Sequence, residues 1–94
     1  VKSAEGAEAY YRLLEAEFVD GNDEKAEQMI LRFAESKTPQ NYWLAKAFLV
    51  LGDIYLAKGD TFQARSTYQS VVDGYSPDND GIVAEAKSKI SKLN

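Results

Sequence analysis

Phe48-Leu49-Val50-Leu51-Gly52-Asp53-Ile54-Tyr55, followed beyond Gly59-Asp60 by Ala64-Arg65-Ser66-Thr67-Tyr68, is the stretch that decides the fold. Leu44, Ala45, Phe48, Leu51, Tyr55 and Leu56 recur at three- and four-residue steps, the helical period, and predict a helix over 41–58. Gly59 ends it, because glycine takes the left-handed C′ conformation without a Cβ penalty. Asp60 with Gln63 three residues later resembles a capping box. It opens a second helix with Phe62, Ala64, Tyr68, Val71 and Val72 on its apolar side. The segment is expected to form a helical hairpin.

Working outward, the same unit recurs. The two prolines, Pro39 and Pro77, are 38 residues apart and each follows a small hydroxyl residue. A shift of that length aligns Leu13 with Leu51, Gly21 with Gly59 and Ala26 with Ala64. It also brings Tyr10 onto Phe48, Ile30 onto Tyr68 and Phe33 onto Val71. A helix over 4–19 carries Ala7, Tyr10, Tyr11, Leu14 and Phe18. Asp20-Gly21-Asn22 breaks it, with Asn22 expected to cap the next helix. Asp23 and Glu24 then sit in a first turn, where the helix dipole favours negative charge. Ala26, Met29, Ile30 and Phe33 form the second stripe. Thr38-Pro39 ends the unit, since the residue before proline is pushed out of the α region. After Ser76-Pro77 and the turn residues Asp78-Asn79-Asp80-Gly81, a fifth helix over about 81–93 carries Ile82, Ala86, Ile90 and Leu93 on a narrow stripe. Lys87, Ser88, Ser91 and Lys92 occupy its polar remainder, as suits a helix that covers the end of a stack.

The segment from Phe48 to Tyr68 reproduces W-x2-L-G-x2-Y and A-x3-F with Phe for Trp and Tyr for Phe. It resembles the tetratricopeptide repeat family. In the first unit Tyr10, Leu13, Gly21, Ala26 and Pro39 fit, while Leu14 stands at the Gly position and Glu17 at the Tyr position. The 38-residue period exceeds the family's roughly 34, which puts four extra residues around Gln40 to Leu44. The lead-in Tyr42-Trp43-Leu44-Ala45-Lys46-Ala47-Phe48 resembles the final repeats of large bacterial proteins of this family. The resemblance implies an all-α, right-handed α-solenoid of one domain over 1–94. It comprises two helix-turn-helix repeats (about 4–40 and 41–78) and a capping helix (about 81–93). Opening on Val1, the chain is expected to be a piece of a longer repeat protein, because about three repeats are usually needed to bury a continuous core.

Composition narrows the chemistry. The 94 residues include no Cys and no His, which leaves no zinc centre, Ser–His or Cys–His nucleophile, haem or iron–sulfur ligation. With 45% hydrophobic and 28% charged residues the chain is an ordinary globular one. No apolar stretch reaches the ~18–20 residues that span a bilayer. The net charge of −4 argues against tracking nucleic-acid phosphates. Residues 1–42 hold nine acids and five bases, whereas 43–94 hold six of each, so the excess acid sits in the first repeat.

Each candidate site has a plainer role. Ser76-x-Asp78-x-Asp80-Gly81 imitates half of a calcium loop, but Ser begins it and Lys87 stands where a bidentate Glu belongs. A turn with a helix cap at Asp80 explains it better. Glu15 and Glu17, two apart on a helix, point to different faces and do not converge for acid–base work. No catalytic, metal or cofactor site is expected, and the chain is not expected to be an enzyme. Tyr10, Phe33, Phe48, Tyr55 and Tyr68 fall on core positions. Tyr42 and Trp43 lie in the four-residue excess, where they staple the helix start, pack on a neighbouring helix or meet a partner.

In the resembled family the concave groove of the superhelix is lined by the first helix of each repeat. Carried over, its positions are Glu8, Tyr11, Glu15 and Phe18, then Lys46, Leu49, Asp53 and Leu56. A clamp for a peptide's terminal carboxylate needs Lys, Arg and Asn at such places, and Tyr11, Glu15, Leu49 and Asp53 do not supply them. The expected function is therefore a protein-interaction module or scaffold with a mixed apolar and acidic groove, favouring a basic or amphipathic segment. The alternative is a structural spacer or oligomerisation unit, with the unpaired first helix as a route to a homodimer.

Overall fold

A computed structural model of the chain describes residues 3–76 and 79–93. Five helices follow one another: α1 (Ala4–Val19), α2 (Asp23–Glu35), α3 (Asn41–Ala57), α4 (Thr61–Gly74) and α5 (Ile82–Ser91), with no strand among the described residues. Pro77 and Asp78, which the sequence reading sets at the close of the second repeat and in the calcium-like loop, lie outside them. No helix among them is long and apolar enough to cross a membrane.

Local chemistry sets the boundaries. Ser3 Oγ accepts the Gly6 N–H at 3.0 Å and starts α1. Gly21 and Gly59 take φ of +88° and +82°, the left-handed geometry expected of them. The two turns match bond for bond across the 38-residue shift. Gly21 N–H donates to Phe18 O and Gly59 N–H to Leu56 O, each at 3.0 Å; Asn22 N–H donates to Glu17 O at 2.8 Å and Asp60 N–H to Tyr55 O at 2.9 Å. Asp60 Oδ1 accepts the Gln63 N–H at 3.0 Å, and Asp80 Oδ1 accepts that of Ile82 at 3.1 Å. Asn22 departs from expectation: its side chain does not cap α2 but donates to Glu17 Oε1 at 2.8 Å, closing the turn back onto α1. Of the stretch from Gln40 to Leu44, where the four extra residues were expected, Gln40 stands at the N-cap and the rest form the first turn of α3.

Each helix packs on its sequence neighbours, and α1 and α5 each also pack on α3. Two apolar cores result. The first joins α1, α2 and α3 through Ala7, Tyr11, Leu14, Ala26, Ile30, Phe33, Ala47, Leu51 and Ile54. The second joins α3, α4 and α5 through Ala45, Leu49, Ala64, Tyr68, Val71, Ile82 and Ala86. Each fully buried large side chain, such as Phe33, Ile54 or Tyr68, contributes about 1.5–3 kcal/mol by leaving water. Between the hairpins Glu27 accepts from Lys58 at 2.8 Å and from Tyr55 at 3.4 Å.

The repeat explains its own irregularities. Leu14 and Ile30 are fully buried in the first hairpin, and Gly52 and Tyr68 take their places in the second. A Cβ on Gly52 would press into the Tyr68 ring, 2.6 Å from Cδ1 and 2.7 Å from Cζ. Two branched aliphatic side chains in the first hairpin have given way in the second to one ring laid against bare backbone. Leu13 breaks the alignment in the other direction. It is 60% exposed although its counterpart Leu51 is buried, because α1 and α2 cover α3 whereas no described helix covers that side of α1. Phe62, expected on the apolar side of α4, is 81% exposed and belongs to the solvent face. Tyr11 goes into the core and Tyr10 is only half-buried. On α5, Ile82, Val83 and Ala86 are buried and Ile90 is half-buried, as is Leu93 just beyond the helix.

Candidate functional site

Helices α1, α3 and α5 present one side of the molecule together, and a cleft of about 270 Å³ opens between them. Six of the eight expected groove residues line it: Tyr11, Glu15 and Phe18 from α1, and Lys46, Leu49 and Asp53 from α3. Their three- and four-residue spacing puts each set on one helix face. Glu8 and Leu56 do not reach the cleft. Glu8 lies one turn before its lining on α1 and pairs with Arg12 at 3.5 Å, and Leu56, on the last turn of α3, is 42% exposed. Val19, Val50 and Glu85 complete the lining, and sequence reasoning missed all three. For Glu85 a signal existed: it stands beside Ala86 and four residues before Lys89, on the flank of α5. Reading α5 only as a cover assigned that flank to solvent.

The cleft's charges are largely matched within the molecule. Lys89 Nζ donates to both carboxylate oxygens of Asp53, at 3.0 and 3.2 Å, and reaches Glu85 at 3.9 Å. Tyr68 donates its hydroxyl to Asp53 Oδ1 from below. Arg12 stands 3.7 Å from Glu15, whose Oε2 also accepts the Tyr11 hydroxyl at 3.0 Å. Burial first, then these carboxylate bonds, hold the Tyr11 and Tyr68 phenols well above their ordinary range. Two cations, Arg12 and Lys89, are thus shared among Glu8, Glu15, Asp53 and Glu85. Glu15 and Glu85 come from different helices and keep the looser pairings, at 3.7 and 3.9 Å.

At one edge the cleft turns aromatic. Trp43 packs on Tyr11 with ring centroids 5.6 Å apart and meets Tyr42 edge-on at 4.9 Å. Trp43 therefore packs on the neighbouring helix, while Tyr42 is 37% exposed. Lys46 Nζ lies 5.3 Å from the Tyr11 ring centre, 5.8 Å from Tyr42 and 6.0 Å from Trp43. Arg12 approaches Tyr11 and Trp43 at 5.7 Å each. Such contacts are worth about 0.5–1 kcal/mol at exposed sites. Lys46 has no carboxylate within 4 Å among the described residues. Among those residues there is also no group of three or more Asp and Glu suited to a metal ion. The arrangement can grip an apolar segment and orient charged side chains on it.

The comparisons with known proteins give no family model, no curated protein and no solved structure that matches the chain.

Proposed function

We propose that the chain is a non-enzymatic protein-interaction module of the tetratricopeptide type, a right-handed helical stack whose concave face is the side shared by α1, α3 and α5. One observation carries this reading: six of the eight residues carried over from the groove positions of the resembled family meet in a single cleft bordered by three helices. The partner is an amphipathic segment with basic character. Its apolar side chains lie along Leu49, Val50 and Phe18. A basic side chain seats between Glu15 and Glu85, the two carboxylates held by the longer ion pairs. Asp53, already chelated by Lys89, acts as a wall.

Fluorescence anisotropy tests this with two labelled peptides of equal length, one alternating Lys with Leu and one alternating Glu with Leu. The Lys–Leu peptide binds the wild type, and the double variant Glu15→Lys/Glu85→Lys loses it at least tenfold. Absence of binding, or binding that ignores both reversals, refutes the groove.

A second reading has its own observation. Ala9, Leu13 and Ala16 are exposed on α1 at the positions where α3 buries Ala47, Leu51 and Ile54. That face suits a further helical hairpin of the same kind, as in a longer array, and the module then serves as a spacer or a dimerising unit. Sedimentation equilibrium distinguishes this: a monomer across the micromolar range favours peptide binding over self-assembly.

A further inference from the structure

The two hairpins differ at one place in a way that the exchange of Leu14/Ile30 for Gly52/Tyr68 does not repair. In the first hairpin Phe33 is buried and meets Tyr10 edge-on, with ring centroids 5.2 Å apart, and the Tyr10 hydroxyl donates to Met29 O at 2.9 Å. The corresponding pair in the second hairpin is Val71 and Phe48. Valine has replaced a phenyl ring, and Phe48 makes no ring contact among the described residues. Ser36 has likewise become Gly74, and a Cβ built there meets no heavy atom within 4 Å. A predominantly apolar pocket of about 220 Å³ lies beside these positions, between the start of α3 and the end of α4. Phe48, Val71, Leu44 and Tyr75 line it, with Asn41 and Ser70 as its polar members. Ser70 already donates to Thr67 O, whereas the Asn41 side-chain amide has no hydrogen bond among the described residues. It shares no residue with the groove cleft.

We infer that this pocket is a docking site for a single aromatic side chain of a partner protein, received where the first hairpin holds its own Phe33. The template is internal to the chain: the repeat supplies both the shape of the missing group and the ring that would meet it edge-on. The size agrees, since apolar cavities of about 150 Å³ accept a benzene-sized guest. Asn41 gives the partner's backbone beside that ring a donor and an acceptor.

The test is a methyl NMR titration with N-acetyl-phenylalaninamide, run beside N-acetyl-leucinamide and N-acetyl-alaninamide. The phenylalanine probe shifts the Val71 and Ala45 methyl signals saturably, with at least tenfold higher affinity than either control. Val71→Phe supplies the missing ring in cis, raises the thermal midpoint and loses the probe. Should that variant fold poorly, Gly74→Leu obstructs the pocket from a position with room for a side chain and also loses the probe. No saturable shift in the wild type, equal binding of the leucine probe, or retention of the probe by both variants overturns the inference. Pocket signals that move with protein concentration alone also overturn it, because a second copy of the chain then fills the site.

Discussion

Gly52→Ala adds one methyl group where the Tyr68 ring of α4 lies against the backbone of α3. Its Cβ falls 2.6 and 2.7 Å from Tyr68 Cδ1 and Cζ, against an optimal carbon separation of about 3.5–4.0 Å. The ring has little freedom to move aside, being 1% exposed and tied through its hydroxyl to Asp53, which Lys89 holds in turn. Three effects compete. Alanine favours the helix by about 1 kcal/mol. Overpacking costs about 1–3 kcal/mol, and turning the ring out forfeits a hydrogen bond to a charged group worth about 1.5–3 kcal/mol. The clash wins, and roughly 2–4 kcal/mol of stability is lost. At roughly 4–8 °C per kcal/mol for a domain of this size, Tm falls by about 10 °C or more. Urea unfolding followed by far-UV circular dichroism measures the loss. The double variant Gly52→Ala/Tyr68→Ile brings this site closer to the Leu14/Ile30 arrangement of the first hairpin. It should recover part of the loss, with a coupling above about 1 kcal/mol. Wild-type stability in Gly52→Ala alone, or strict additivity in the cycle, refutes the packing argument.

Three further outcomes follow from the polar contacts. Tyr10, Tyr11, Tyr55, Tyr68 and Tyr75 all hold their protons above the usual value of 10.0, mainly through burial, with Tyr75 pushed up to about 12. The unfolded chain releases these protons first, so stability is full below about pH 10 and declines as pH rises from there through 12. A urea midpoint that stays flat over that window contradicts the burial of these phenols. Asp53→Ala strands the Tyr68 hydroxyl, leaves Lys89 only its longer pairing with Glu85, and costs about 1–3 kcal/mol in the same unfolding assay; Lys89→Met, which leaves the Tyr68 bond intact, costs less. Glu27→Ala removes the acceptor shared by Lys58 and Tyr55 and lowers the urea midpoint by less than Asp53→Ala does, because Lys58 is 40% exposed and Tyr55 only half-buried, whereas Tyr68 is fully buried.

Much of this architecture was legible because a few residue types admit few roles. Gly21 and Gly59 mark the turns, the apolar stripes set the helices, and the 38-residue shift relates one hairpin to the next. What escaped was whatever depends on a third body. The exposure of Leu13 follows from which helices lie beside α1, and alignment with Leu51 carries no such information. Phe62 matched the apolar pattern, yet it sits on the side of α4 turned away from α3. Two walls of the cleft, on α1 and α3, hold six of the eight positions carried over from the resembled family. Its third wall, with Glu85 and the Lys89 that occupies Asp53, depends on how α5 crosses back to α3, and the stripe of α5 does not encode that angle. The acidic excess of the first repeat was equally plain in the sequence, whereas its partial neutralisation by Arg12 in the groove needed side-chain geometry.

The packing of α3 on every other helix also governs how the molecule opens. Neither core exists without α3, whereas α5 touches only α3 and α4, and α1 only α2 and α3. Amide exchange in α3 should therefore require global unfolding, while α5 and the first hairpin can open at lower free energy. The cleft spans α1, α3 and α5, joining the two ends that fray to the centre that does not. A segment bound there stitches the ends to the middle, so exchange in α1 and α5 slows together on binding although the two helices do not pack on each other.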